Sequence, residues 1–208
     1  TGCLVAGCSS PPPPTTPSTT SGDVAVTGTG IGPEPDLAPP PDRSPAPPEV
    51  SRRLSELRVA PRRPVVGPYR RGAFGRAWRD VDGNGCNQRD DVLLRDAVAG
   101  SVRVVRQAIQ IDHIVPLAEA WASGATEWST ERRVDFANDL DGLLAVDGPT
   151  NARKGDGDPA AWRPRKAFQC DYATRWIRVK SRWDLAVDPS EKRALTEMLA
   201  TCRTGSAG

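Results

Sequence analysis

Ile111-Asp112-His113-Ile114-Val115-Pro116-Leu117 holds the one histidine in 208 residues, and the rest of the chain is read outward from it. The apolar, β-branched run predicts a strand. Pro116 ends that strand and opens a helix, because proline donates no ladder hydrogen bond yet suits a first helical turn. The strand end therefore presents a carboxylate beside an imidazole, an oxygen ligand next to a group that accepts protons near neutral pH. Taken alone, such a pair is more often a buried histidine held by its acidic neighbour. A second stretch changes that balance: Leu143-Leu144-Ala145-Val146 reads as a short buried strand, and Asp147-Gly148-Pro149-Thr150-Asn151-Ala152-Arg153-Lys154-Gly155-Asp156 follows it. Pro149 and Thr150 turn this strand into a short helix carrying Asn151 and Lys154. Strand, insertion, strand, helix is the resulting order, with polar residues at both junctions.

The other elements follow from periodicity and breakers. Val50, Leu54 and Leu57 have helical spacing. Residues 58–77, rich in Arg, Pro and Gly, read as an extended loop carrying Tyr69 and Phe74. A short helix is expected near 90–97 and a strand over 102–111, with Gly100 and Ser101 as turn residues before it. Gly124 stops the helix after Pro116, and Ser129 or Thr130 caps the next, which ends near Asn138. A longer helix is expected over 167–183, and Asp188-Pro189 begins the last one, reaching Cys202. Trp176 and Trp183 are seven apart on one helical face, a spacing that belongs to a core more than to a base-stacking platform. Arg175, Arg178, Lys180 and Arg182 could follow a phosphate backbone, although a solvated face is the default reading.

Composition divides the chain. Residues 1–8 read as the remnant of a signal peptide, and Val5-Ala6-Gly7-Cys8 matches a lipobox in which Cys8 is lipidated. Residues 9–48 hold 13 of the 21 prolines and much Ser and Thr, so they bury too little apolar surface to offset ordering and read as a disordered tether. Residues 49–203 form one domain, ample for a single core, and 204–208 a tail. No run of about 20 apolar residues is present, which excludes a spanning helix in this sequence. The expected location is extracellular or at the bacterial cell surface, with membrane contact only through the lipid. The formal charge is +2, and the part after residue 48 carries a net +5, a mild bias compatible with a polyanionic partner.

Asp112-His113-Ile114-Val115-Pro116-Leu117, together with Leu143 through Asn151 and Lys154-Gly155-Asp156, resembles the HNH endonuclease family. The likeness is to an exported branch related to the C-terminal nuclease domain of modification-dependent restriction enzymes. It covers roughly residues 50–203 and includes the 78–96 stretch, the Trp121 and Trp128 helices, and Ala167-Phe168-Gln169-Cys170. The resemblance implies an α+β fold, a mostly helical domain around a small ββα-metal core. It also implies metal-dependent hydrolysis of nucleic-acid phosphodiesters, DNA foremost, with no protein partner inferred. By position, His113 would be the general base, a role worth roughly 10²–10⁴ in rate. Asp112 and Asn151 would hold one divalent ion. Carboxylate and amide oxygens are hard ligands, which suits Mg²⁺ or Mn²⁺. Lys154, one helical turn after Asn151, could meet a phosphate or stand as a solvated charge.

Two departures from the family pattern leave a second reading open, a surface lipoprotein that keeps the fold without the chemistry. Gly142 stands nine residues before Asn151, where the family has an asparagine that braces the histidine loop; Asn138 or Asp141 could substitute. The segment 97–109 is also shorter than usual, a change that could loosen the sheet presenting His113. With Cys3 before the cleavage site and Cys8 lipidated, Cys170 and Cys202 are expected to bridge the two C-terminal helices. Such a bridge is worth about 3–4 kcal/mol in the chain-entropy model. Cys86 is then odd. Finally, Asp80, Asp82, Asn84 and Asp91 have the spacing of an EF-hand Ca²⁺ loop, with Gly85 at the sixth position, which opens a third reading as a Ca²⁺-binding envelope module. Position 12 is Asp rather than Glu, so a turn satisfied by its own side chains competes with it.

Overall fold

The computed structural model describes residues 46–61, 68–97 and 109–202. Within them the order is α1 (Pro48–Glu56), a 3₁₀ turn (Arg71–Phe74), α2 (Gln88–Ala97), β1 (Ile109–His113), α3 (Leu117–Ser123) and α4 (Thr130–Ala137). Then come β2 (Leu143–Asp147), α5 (Gly148–Lys154), α6 (Gln169–Arg182) and α7 (Pro189–Leu199). The architecture is mixed α/β, mostly helical around a small two-stranded sheet. Sequence signals set most boundaries. Ser129 caps α4 through the Arg132 N–H, and Asp147 caps α5 through the Thr150 N–H at 2.9 Å. Asp188 opens α7 in a reciprocal capping box with Glu191. Gly124 ends α3, and α6 starts at Gln169, two residues later than the expected helix.

The strand expected over 102–111 is seen where the described residues reach it, from Ile109. β1 starts at Ile109 and runs on through Asp112 and His113, so both site residues lie within the strand; residues 98–108 lie outside the described residues. β1 and β2 pair antiparallel, with Ile111 opposite Ala145, Asp112 opposite Leu144 and His113 opposite Leu143. Beyond the ladder the Ile114 N–H donates to the Gly142 carbonyl at 2.9 Å.

Alternation along the pair separates two apolar clusters. Ile109, Ile111, Leu143 and Ala145 pack with Val92 of α2 and Trp78 on one face. Leu144 belongs to the larger cluster, which includes Phe74, Ile114, Phe136, Trp176, Ile177, Leu195 and Met198. Each such side chain taken out of water contributes roughly 1.5–3 kcal/mol. Polar groups tie α2 to β2. Arg95 donates to the Leu140 and Leu143 carbonyls, both at 2.7 Å, and the Asp96 carboxylate accepts the Ala145 N–H at 2.8 Å.

A charged cluster is buried where α3, α6 and α7 meet. The Lys180 ammonium, fully buried, donates to Glu119 at 2.7 Å and to the Ala186 carbonyl at 2.8 Å, and lies 3.2 Å from Glu191. Glu191 also accepts the Trp176 indole N–H at 2.6 Å. Lys180 is therefore an internal cation and does not join an exposed basic stripe. Trp176 is core, as its spacing suggested.

Candidate active site

Consecutive strand residues point to opposite faces, so Asp112 and His113 leave the sheet on different sides. On the Asp112 side, α5 folds back over β1. Its residues Asn151 and Lys154, three apart, meet the two β1 side chains on that face. Asn151 Nδ2 donates to Gln110 Oε1 at 2.8 Å, and Lys154 Nζ donates to both Asp112 oxygens at 2.7 and 2.8 Å. A third Lys154 contact, to the His113 carbonyl at 2.7 Å, clamps the strand end. Burial pushes the Asp112 carboxyl up and the Lys154 ammonium down, and the contact between them pulls each back.

This corrects the expectation for Lys154. Its side chain is 2 % exposed, with its ammonium committed to Asp112 and the β1 backbone, so it is not available on the surface to meet a phosphate. Its role is to hold the Asp112 carboxylate in place.

On the other side, the His113 ring stacks on Trp78, with centroids 5.9 Å apart and planes 13° off parallel. Nε2 lies 2.9 Å from the Ala137 carbonyl. A carbonyl only accepts, so Nε2 carries the proton and Nδ1 keeps the lone pair. Burial, opposed by that hydrogen bond and assisted by the charges of Arg71 and Lys154, lowers the imidazole pKa to about 4. The ring is therefore neutral at pH 7. Trp78 reaches it from a left-handed backbone, φ 58°, a conformation unfavourable for a non-glycine residue by roughly 1–2 kcal/mol. The next N–H, of Arg79, donates to Asn138 Oδ1 at 3.0 Å, while Asn138 Nδ2 donates to the Val134 carbonyl at 2.8 Å. Asn138, buried, thus braces the Trp78 segment rather than β1. The β1 end is held by backbone carbonyls instead, those of Ala137 and Gly142. At Gly142 an added Cβ would meet only Val179 at 3.9 Å, ordinary contact.

Asp112, His113 and Asn151 line one open cleft of about 240 Å³, with Tyr69, Arg71 and Asp156 around it. Among the described residues no three His, Cys, Asp or Glu side chains converge into a closed metal cage. The donors present are one carboxylate and one amide, both hard. They suit an ion such as Mg²⁺, which keeps several waters and needs only one or two carboxylates beside substrate phosphates. The fit has one condition. Asp112 already holds the Lys154 ammonium, so an ion would share the carboxylate with it.

The Asp80–Asp91 loop closes on itself. The Asp80 carboxylate accepts the Gly83 and Gly85 N–H groups at 2.7 and 3.0 Å, and Asn84 Nδ2 donates to Asp82 and Asp91. These are the contacts of an Asp/Asn turn, in which Asp91 Oδ2 alone of the loop's carboxylate oxygens is buried without a hydrogen-bond partner. Cys170 and Cys202 form a disulfide across a separation of 32 residues. Cys86 is disulfide-bonded as well, so the expectation that it is odd is corrected. Cys8 lies outside the described residues.

Trp78, the Ala137 carbonyl, Gln110 and the Tyr69/Arg71 wall were not assigned from sequence. Gln110 was within reach of the argument, since it alternates with Asp112 on one strand face. The others come from distant segments, and no local pattern announces them.

The site and its two strands fall within a recognised family. Residues 73–198 match the model for the C-terminal domain of GmrSD restriction endonucleases, and the chain belongs to that family. It is also similar to an uncharacterized secreted protein of Arthroderma benhamiae, 38 % identical over 190 residues, covering 81 % of this chain and 92 % of the relative. No solved structure matches the chain.

Proposed function

We propose that this protein is an exported, metal-dependent endonuclease of the HNH type, with β1, β2 and α5 as its ββα core and nucleic acid, DNA foremost, as its substrate. The observation that carries the reading is the state of His113: neutral, held through Nε2 with the lone pair left on Nδ1, in a residue that lines the same cleft as Asp112 and Asn151. Family membership supports nuclease chemistry, and the secreted relative supports export.

In this mechanism Nδ1 of His113 takes a proton from water as the water oxygen attacks phosphorus and the bond to the leaving oxygen breaks. Ala137 and Trp78 hold the ring in that orientation, and the imidazolium formed keeps its Nε2–H bond to the Ala137 carbonyl. Asp112 and Asn151 would hold Mg²⁺ or Mn²⁺. When bound, that ion supplies positive charge to the phosphoryl oxygens and the leaving oxygen. Lys154 fixes Asp112, and Gln110 fixes Asn151.

One observation favours a second reading, a family member without the chemistry: both Asp112 oxygens are already taken by Lys154. Nicking of supercoiled plasmid by the full chain separates the two. The nuclease cuts in Mg²⁺ or Mn²⁺ and stops in EDTA, and Asp112→Asn loses the metal response. A folded chain that cuts in neither metal sinks the proposal in favour of the second reading.

A further inference from the structure

The cleft has two walls. One is β1 and α5, with Asp112, His113 and Asn151. The other comes from the segment before the family match and presents Tyr69 and Arg71. Arg71 stands first in the 3₁₀ turn, and that turn is pinned. Phe74 is fully buried, with ring centroids 6.2 Å from Trp121 and 6.1 Å from Phe136. Arg133 Nε donates to the Ala73 carbonyl at 2.9 Å. Gly75 follows with φ +74°, where any Cβ would also stand 2.6 Å from Val134 Cγ2.

The side chain on this rigid turn is exposed. Among the described residues its guanidinium is in no ion pair, and its one hydrogen bond is a long contact to the Gly75 carbonyl at 3.4 Å. It lines the same cleft as His113 and Tyr69. On α6 the arginines are paired: Arg175 with Asp171, Arg178 with Glu49 and Arg182 with Asp141. Within the cleft Lys154 and Asp112 satisfy each other, and Asp156 stands on the rim. Arg71 is thus a positioned cation in the cleft, with a planar fork of donors that matches a phosphate.

We infer that Arg71 is the phosphate-binding residue of this cleft, taking a phosphodiester of a nucleic-acid strand that lies between the Tyr69/Arg71 wall and the His113/Asn151 wall. This rests on the nuclease reading for its choice of ligand, but not for its test. A rigid backbone means that little is lost in ordering the contact. An exposed guanidinium means that the phosphate displaces water and, of protein contacts, only the long one to the Gly75 carbonyl. Tyr69 packs its ring 6.3 Å from Phe74, so the wall beside the phosphate is firm.

The test is binding of a fluorescein-labelled DNA duplex and single strand to the full chain, by anisotropy in EDTA, where nothing is cut. Arg71→Ala is expected to weaken binding about tenfold and to lower the slope of log K against log salt by about 1. Arg71→Lys should fall between, because it keeps the charge and loses the fork. Arg52→Ala, on α1 outside the cleft, should bind as wild type, and all variants should melt as wild type. Where wild type cuts, Arg71→Ala raises KM more than it lowers kcat. Arg71→Ala binding with wild-type affinity and salt slope overturns the inference, as does a wild type that binds neither DNA. If wild type binds DNA without cutting it, the nuclease reading fails while the loss in Arg71→Ala still upholds the site.

Discussion

A histidine that takes a proton from water must begin uncharged and must be held by the nitrogen that does not react. His113 meets both requirements through residues distant in sequence. Ala137 supplies the carbonyl, Trp78 the stacking surface, and Asn138 the brace for the backbone that carries Trp78. Asn138→Ala should expose the cost of that brace. It removes the acceptor of the part-buried Arg79 N–H and the buried donor to the Val134 carbonyl, a loss of about 1–3 kcal/mol, read as a lower Tm. Where the enzyme is active, kcat should fall as well, because Trp78 is freed from its left-handed turn. A variant that is destabilised but keeps full kcat would show that the Trp78 stack is packing alone.

At the scale of elements, β1 shows what could be read in advance and what could not. That strand, a second strand and a short helix follow one another was legible in Ile111 through Leu117 and in Leu143 through Lys154, where apolar runs end in Pro and Asp caps. The fate of Lys154 was not legible. One turn after Asn151 it could equally face solvent, and only the fold of α5 back over β1 turns it onto Asp112. The buried cluster on α3, α6 and α7 was hidden for the same reason, since Lys180 reads as surface until Glu119 and Glu191 arrive from other helices.

That cluster makes a prediction with a definite sign. Burial, with Glu119 adding and Lys180 opposing, raises Glu191 from 4.5 to about 7. The folded chain then keeps a proton that the unfolded chain releases near pH 4.5. This contribution to stability is complete below about pH 4.5 and is lost as pH rises through about 7. His113 has the opposite sign: its lowered pKa gives a contribution present above 6.5 and lost as pH falls through about 4. Comparing Glu191→Gln with wild type isolates the first effect. Between pH 5 and 8, wild type should lose Tm relative to the variant, and parallel curves would contradict the assignment. Lys180→Met should cost about 3–5 kcal/mol, because it leaves buried carboxylates without their cation.

For the whole molecule, the Cys170–Cys202 disulfide closes the C-terminal helices over the core. Replacing both cysteines by serine should remove about 3–4 kcal/mol, a fall in Tm on the order of 10 °C for a domain of this size, with the site geometry unchanged. Among the described residues no helix is long and apolar enough to cross a membrane. The described residues form a helical scaffold that presents a small two-stranded sheet at a cleft, and family membership ties that scaffold to restriction-enzyme C-terminal domains.

The most direct test of His113 is its replacement. Full-length wild type and His113→Ala are compared for nicking of supercoiled plasmid over a range of Mn²⁺, with melting curves to show that both are folded. Metal-dependent nicking by wild type is expected, with a loss of about 10²-fold or more in His113→Ala, on the order of what general-base catalysis contributes. Equal cutting by the two folded proteins would contradict this, because the proton would then be leaving by a route that does not pass through His113.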